Sequence, residues 1–421
     1  MNHGKDSSRN LPRVLLLNPP AAKPVLRDYY CSTRPKTSYY WQPVDLLCLA
    51  AQLDKRARVL MVDAVTHGIP PKTLRKMVKA FAPHAIYCMV STLTEQEDLA
   101  LLKQLAGEKA RIVIGGEAAL NPNFFFEEYP VIDALALDFT APELGDFLLE
   151  GRVSGRLRTR DQAPGPPPNG TEYSMGVTPH NTVDNALYKI PLWRGVFHSL
   201  LTDFGCPHRC SFCNSGLHSL GHKTRKVKEI GQELELLKRL EAKQIYLRDM
   251  TFGANKSHGH EVLDLLAGYP FTLRGYLRAD QITPNFSKSL KRAGFAMAQI
   301  GVESPLPEAR KAMGKNLGDE VFIKAFRQLH EQGIEAGAHF MVGFDQDHPL
   351  IARYCVDMAA KLGAAYCSIN IYEHRLGARP ILPADRVRRH WFSLHARAMM
   401  ARYNAPRQAR FLLTHLKKQA K

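Results

Sequence analysis

The chain has 421 residues, with 57 Lys and Arg against 40 Asp and Glu, for a net charge of +17. This length suits two or three domains, and a hydrophobic share of 45% is ordinary for a folded protein. No apolar run approaches the ~20 residues of a bilayer span, and residues 1–12 lack the apolar core of a secretory signal. The expectation is a cytoplasmic protein with its eight cysteines reduced.

The first 150 residues alternate apolar strands with helical spacing. Arg13 to Leu17 reads as a strand closing on Asn18-Pro19-Pro20. Val44 to Leu53 has helical spacing. A strand over Arg58–Ala64 and a helix over Lys72–Phe81 follow, then a strand over Ala85–Ser91 and a helix over Glu95–Ala106. Further strands are Arg111–Gly116 and the shorter Ile132–Leu137. Strands buried on both faces and separated by helices predict a doubly wound parallel sheet. Ligands of such sheets bind beyond the carboxyl ends of the strands. Those ends here carry Asn18, Asp63, Ser91-Thr92 and Gly115-Gly116-Glu117.

Between residues 151 and 190 the texture changes, and Pro164-Gly165-Pro166-Pro167-Pro168-Asn169-Gly170 reads as a linker. A second α/β series follows. Its strands are Val196–Thr202, Gln244–Leu247, Thr272–Leu277, Met297–Ile300, Ala336–Val342 and Ala365–Ile371. Helices over Ile230–Glu241, Ser287–Ala293, Val321–Gln332 and Ile351–Leu362 separate them. Such a series predicts a partial (β/α)6 TIM-type barrel with chemistry at the carboxyl ends of its strands. The domain reading is 12–150, a linker over 151–190, a second domain over 191–380 and a basic helical tail over 381–421.

After the first strand of the second series comes Asp203-Phe204-Gly205-Cys206-Pro207-His208-Arg209-Cys210-Ser211-Phe212-Cys213. Three cysteines stand in C-x3-C-x2-C spacing. A zinc site usually takes four N or S ligands, which His208 or His218 would have to complete. Three thiolates on one tight loop also suit a [4Fe–4S] cluster, whose usual complement is four cysteines, and the missing fourth leaves one iron for another ligand. The other cysteines (Cys31, Cys48, Cys88, Cys355, Cys367) are scattered and read mostly as buried small apolar residues.

The charge is concentrated at the end. Residues 386–421 hold ten Lys or Arg and no Asp or Glu. Leu394 to Ala401 fits an amphipathic helix, with Pro406 starting a second one. The expectation is a basic helix packed on the preceding domain, the sharper alternative being contact with an anionic membrane surface. Nothing resembles a nucleic-acid module, so no nucleic acid is expected.

The order of these motifs resembles the cobalamin-dependent radical SAM enzymes, in which a B12-binding domain precedes the radical SAM domain. The radical SAM side of the resemblance rests on the cysteine motif and Ile245-Tyr246-Leu247-Arg248-Asp249, continuing with Leu277-Arg278-Ala279-Asp280, Ile300-Gly301-Val302-Glu303-Ser304 and Phe340-Met341-Val342-Gly343-Phe344. The cobalamin side rests on Asn18-Pro19-Pro20, Val62-Asp63-Ala64, Ser91-Thr92-Leu93-Thr94 and Val113-Ile114-Gly115-Gly116. The resemblance implies that Cys206, Cys210 and Cys213 ligate a [4Fe–4S] cluster, whose open iron holds S-adenosyl-L-methionine (SAM). It implies that Phe212, Asp249, Arg278 and Glu303 contact SAM, and that Asn18, Ser91, Thr92, Gly115 and Gly116 contact cobalamin. The two glycines would let backbone approach the nucleotide tail closely. No side chain is assigned a catalytic role.

One departure matters. Asp63-Ala64-Val65-Thr66-His67-Gly68 is D-x3-H-G rather than the D-x-H-x-x-G of many B12 domains, so His67 is not assigned as a cobalt ligand. The segment Lys23 to Trp41, rich in Tyr and Arg, is read as a cover for the lower cobalt face. The implied activity is a radical SAM C-methyltransferase. It would methylate an unactivated carbon of a small metabolite, lipid precursor or tetrapyrrole through a 5'-deoxyadenosyl radical and methylcobalamin. The alternative is a B12-binding radical SAM enzyme catalysing an oxidative cyclisation or rearrangement. Either needs an electron donor such as flavodoxin or ferredoxin.

Overall fold

The computed structural model describes residues 11–29, 31–35, 39–106, 110–189, 196–217, 220–372 and 383–419. It divides into two compact units, Met1–Pro207 with Asn214–Ile245, and His208–Cys213 with Tyr246–Lys421. Both are α/β.

The first unit begins β1 (Arg13–Asn18), α1 (Val44–Gln52), β2 (Arg58–Asp63), α2 (Pro71–Phe81), β3 (Ala85–Met89), α3 (Glu95–Leu105) and β4 (Arg111–Gly115). It continues with β5 (Ala134–Ala136), α4 (Pro142–Glu150) and β6 (Leu157–Thr159). These six strands form one sheet in the order β2-β1-β3-β4-β5-β6. All pairs are parallel except β6, which runs antiparallel to β5. Val14–Leu17 and Ala85–Met89 are wholly buried, as parallel strands covered on both faces must be. Helix α2 shows how local sequence sets the elements. Pro71 starts it in the pre-set helical φ, Leu74 and Val78 bury one face, and Ala82 ends it in a left-handed turn.

The segment read as a linker is more ordered than that. It supplies β6 and then β7 (Asn169–Tyr173), with the proline run confined to the turn between them. Strand β8 (Phe197–Leu200) follows, then β9 (Asp203–Gly205), α5 (Asn214–Leu217), β10 (His222–Arg225), α6 (Val227–Arg239) and β11 (Gln244–Leu247). A small sheet β7-β10-β9 joins the former linker to the strands flanking the cysteine loop. In it β10 is parallel to β7 and antiparallel to β9. The boundary between the compact units falls within β11 and around the cysteine loop. The physical reason is that β6 and β7 complete sheets of the first unit.

The second unit holds α7 (Lys256–Leu266), β12 (Thr272–Leu277), α8 (Pro284–Arg292), β13 (Phe295–Glu303), α9 (Pro307–Ala312), α10 (Asp319–Glu331), β14 (Glu335–Val342), α11 (Ile351–Lys361), β15 (Tyr366–Ile371) and α12 (Pro383–Gln419). Strands β12 to β15 pair in sequence, all parallel. Along β12 the burial alternates, with Leu273, Gly275 and Leu277 buried and Arg274 and Tyr276 half-buried. Asn255 and Thr283 cap α7 and α8 by accepting the His258 and Phe286 N–H groups.

The basic tail is one helix, and Pro406 lies inside it rather than starting another. The Arg407 guanidinium donates to the Tyr403 carbonyl one turn back, beside the break in the helical ladder. The helix is bound to β15. Asn404 accepts the Cys367 N–H at 2.9 Å and donates to its carbonyl at 2.8 Å, as a neighbouring strand would. Tyr403 donates to the carbonyls of Ala359 and Ala364.

Candidate functional site

The cysteine motif lies in the connection between β9 and β10. Gly205, in the left-handed region at φ 79°, turns the chain out of β9, and a Cβ there would collide with the Gly221 carbonyl. The Cys206 N–H donates to that same carbonyl at 2.8 Å, closing the base of the loop. Farther along, Ser211 N–H donates to the Met313 carbonyl at 3.0 Å and Cys213 N–H to the Cys210 carbonyl at 3.2 Å. None of the three cysteines is in a disulfide. Cys210 is buried, and Cys206 and Cys213 are half-buried.

This donor set suits a cluster. Among the described residues, no three His, Cys, Asp or Glu side chains converge closely enough to hold a single metal ion. A cluster presents several irons to its thiolates. His218, considered as a completing ligand, lies outside the described residues. Phe212 is half-buried on the loop. Of the scattered cysteines, Cys48, Cys88, Cys355 and Cys367 are buried and Cys31 is exposed.

The remaining SAM-side residues of the second unit all stand at carboxyl ends of strands. Asp249 follows β11 and is buried. Arg278 follows β12 and grips Asp280 with two parallel bonds, Nε at 3.0 Å and Nη2 at 3.1 Å. Burial raises the Asp280 pKa, but the Arg278 fork outweighs it, and the carboxyl sits below its ordinary value. Glu303 ends β13 at φ 70°, a left-handed backbone that costs a non-glycine residue about 1–3 kcal/mol. The buried Lys315 holds it there, donating to Oε1 at 2.8 Å and to the Gly301 carbonyl at 2.5 Å. Arg310, fully buried, ties the following turn by donating to the carbonyls of Ser304 and Leu317 and to Asp319. Arg278 and Glu303 thus lie at neighbouring strand ends, each paired to a residue of its own loop. Lys315 and Arg310 carry no sequence signal, since each is one cation among many on a basic chain.

The cobalamin-side residues gather at the carboxyl ends of β1, β3 and β4. The centre is Arg27, which the sequence reading had only inside a covering segment. Its guanidinium binds both Asp98 oxygens, at 3.0 and 2.7 Å, and donates to Asn18 Oδ1, the Pro19 carbonyl and Thr94. Asn18 donates in turn to Asp63. The Ser91 N–H points at Asp98, and its hydroxyl accepts from Leu93. Thr92 donates to Glu117 at 2.7 Å, and Glu117 also takes the Ser32 N–H and the Asn214 amide. Burial pushes the Asp98 carboxyl up, against the pull of Arg27, and pushes Asp63 up against its bonds from Tyr188 and Thr66.

One expectation changes here. A Cβ at Gly115 would enter the buried Tyr87 ring, and one at Gly116 (φ 78°) would meet the Val90 carbonyl at 2.9 Å. Both glycines therefore have an internal packing reason rather than only a ligand one. Of the segment Lys23–Trp41, Arg27 and Ser32 bond to residues at the strand ends, while Tyr30 and residues 36–38 lie outside the described residues. His67 is exposed, with Nδ1 on the Asp63 carbonyl at 2.8 Å.

Comparison with known proteins gives three kinds of likeness. Residues 202–349 match the family model of the radical SAM superfamily. The uncharacterized methyltransferase PH0819 of Pyrococcus horikoshii is 24% identical over 388 residues, covering 87% of this chain and 82% of the relative. Two solved structures share the fold. The radical SAM methyltransferase TsrM of Kitasatospora setae, with cobalamin and a [4Fe–4S] cluster bound, superposes with a TM-score of 0.64 at 18% identity, over 86% of this chain and 72% of TsrM. The cobalamin-dependent SAM radical enzyme OxsB, with aqua-cobalamin bound, gives a TM-score of 0.66 at 18% identity, over 97% of this chain and 62% of OxsB. The cysteine loop falls inside the matched segment, and the chain shares the fold of TsrM and OxsB over most of its length.

Proposed function

We propose that the chain is a cobalamin-dependent radical SAM methyltransferase that methylates an unactivated carbon of a small metabolite, lipid precursor or tetrapyrrole. The observation that carries the reading is the three-thiol loop between β9 and β10, inside the segment that matches the superfamily model. The methyltransferase names of PH0819 and TsrM support the reaction type. When bound, a [4Fe–4S] cluster with SAM supplies one-electron chemistry and cobalamin supplies a methyl carrier.

The chain's own residues then divide the work. Cys206, Cys210 and Cys213 would hold the cluster. The second series, read as a partial barrel, offers Asp249, Arg278 and Glu303 at its strand ends, with Lys315 and Asp280 fixing the last two. Glu303 in its strained backbone fits a pre-organised contact, since such strain gathers at ligand sites. In the first unit the order β2-β1-β3-β4-β5 reverses direction between β1 and β3, the crevice where open α/β sheets bind nucleotide-like groups. Asn18 and Ser91-Thr92 flank that crevice and would meet cobalamin there.

Anaerobically reconstituted protein given a low-potential reductant, cobalamin and SAM with an isotope-labelled methyl group tests the reaction. Label in the recovered cobalamin, read by mass, is the expected result. Release of 5'-deoxyadenosine with no label leaving SAM would contradict methyl transfer.

A further inference from the structure

Helix α12 buries one face and leaves another exposed. Phe392, Ala396 and Tyr403 are buried, whereas Val387, Trp391 and Leu394 are 73%, 49% and 51% exposed. The exposed trio has i, i+4, i+7 spacing, and Ala398, Ala401 and Ala405 continue the same stripe. At 100° per residue the stripe lies opposite the buried face. Arg402 lies along one margin, and Arg386, His390 and Arg397 along the other. All four are exposed.

The apolar surface does not stop at the helix. Trp391 donates its indole N–H to the Pro349 carbonyl at 3.0 Å, and Leu350 and Tyr354 at the start of α11 are each 39% exposed. Five of the ten large hydrophobic residues exposed among the described residues thus lie on α12 and at or just before the start of α11. Arg388 binds the same region to the loop after β14, donating to the carbonyls of Phe344, Asp345 and Asp347. The surface is therefore tied to a loop at the carboxyl end of a strand of the second unit.

We propose that the outer face of α12, with the start of α11, docks this protein on an anionic lipid bilayer surface. Three arguments select that occupant. An apolar stripe with cationic margins and no Asp or Glu between residues 386 and 421 is the pattern of a helix lying in a membrane interface. Nucleic acid would call for cations along the centre of the face, where Val387, Trp391 and Leu394 stand. A second copy would bring arginine margins against arginine margins, and like charges flanking a helical seam repel. No described helix is long and apolar enough to cross a membrane, so the contact is peripheral. The proposal requires none of the cofactors and stands apart from the reading of the reaction.

The test uses the full chain and two kinds of vesicle, pure phosphatidylcholine and a 1:1 mixture with phosphatidylglycerol. Co-sedimentation at low and high salt is read together with tryptophan emission, in a background where Trp41 and Trp193 are changed to Phe and unchanged melting confirms folding. Binding to the mixed vesicles at low salt, a blue shift of Trp391 and loss of binding at high salt are expected. Val387→Gln with Leu394→Gln should weaken partitioning at least about tenfold, for loss of two aliphatic side chains from the apolar face. Arg397→Glu with Arg402→Glu should weaken it only on the anionic vesicles. No binding at low salt overturns the proposal, as does binding that both double variants leave unchanged. Light scattering that shows a dimer broken by Val387→Gln with Leu394→Gln assigns the face to a second copy instead. Binding of a DNA duplex without vesicle binding assigns it to nucleic acid.

Discussion

The two units both end parallel strands in polar residues, but they use them differently. At the ends of β1 and β3, Arg27 and Asp98 form an ion pair whose side chains are 0% and 1% exposed, and Asn18, Thr94 and the Pro19 carbonyl complete the guanidinium's bonds. At the ends of β12 and β13, Arg278 and Glu303 keep 13% and 14% of their side chains exposed. A sealed pair is held in one geometry by the desolvation that breaking it would leave behind. A partly open carboxylate or guanidinium keeps atoms for a ligand. The difference separates an ion pair that organises the fold, Arg27 with Asp98, from the side chains Arg278 and Glu303 that present chemistry. It also predicts that substitutions in the first group cost stability while those in the second cost ligand binding.

The largest effect should come from the sealed pair. Arg27→Ala leaves the Asp98 carboxylate buried without its counter-charge, and a loss of about 3–5 kcal/mol is expected from denaturant unfolding. A loss under about 1 kcal/mol would remove the distinction between the two groups.

Next is the pH response of the first unit. Burial, and then the neighbouring His180, depress the His198 pKa to about 4 from its ordinary 6.5. The folded value lies below the unfolded one, so the unfolded chain takes the proton first as pH falls. His198 thus contributes stability that is complete above pH 6.5 and is lost on the way down to pH 4, on the order of 2–3 kcal/mol. The Glu233 carboxyl lies lower still, at about 2. Burial alone would raise it, but Arg225 and His180 outweigh that and hold it down, so its contribution is lost only in stronger acid. Stability measured from pH 7 to pH 4 should fall less steeply in His198→Gln than in the wild type. Parallel curves would show that His198 is not the titrating group.

Asn404→Ala should cost about 2 kcal/mol, because it strips both backbone bonds from Cys367 at the sheet edge. Faster amide exchange at Cys367 is the specific sign, and unchanged exchange there would contradict the strand-mimic role.

A smaller stability change than for Arg27→Ala should follow Glu303→Gln, since the amide oxygen and the Gly301 carbonyl still receive Lys315, although the buried ammonium loses its counter-charge. SAM binding to the reconstituted protein should nevertheless weaken about tenfold, for loss of a charge-assisted contact. Full SAM affinity in this variant would return Glu303 to the group that serves the fold alone.

How much of this was legible beforehand follows from the range of each interaction. The strands of both series and the cysteine loop are local patterns of burial and spacing, and the sequence carries them. Residues 151–190 misled because proline run and strand alternate within a few residues, and only pairing with β5 and β10 reveals β6 and β7. Arg27, Asp98, Lys315 and Asn404 left no trace, because each acts on a residue far along the chain or as one charge among many. The partner of Arg27 is 71 residues away. Gly115 and Gly116 were legible as special positions, but the reason for them, Tyr87 and the Val90 carbonyl, was not.

The central claim is that Cys206, Cys210 and Cys213 hold a cluster that drives SAM cleavage. Its most direct test is anaerobic reconstitution of the wild type and of the variant with all three changed to Ala. Iron and sulfide are assayed, and 5'-deoxyadenosine is measured after addition of SAM and a low-potential reductant. The wild type should hold about four irons and four sulfides and release the nucleoside, and the variant should do neither. A variant that keeps its iron, or a fully loaded wild type that leaves SAM intact under reduction, would contradict the account.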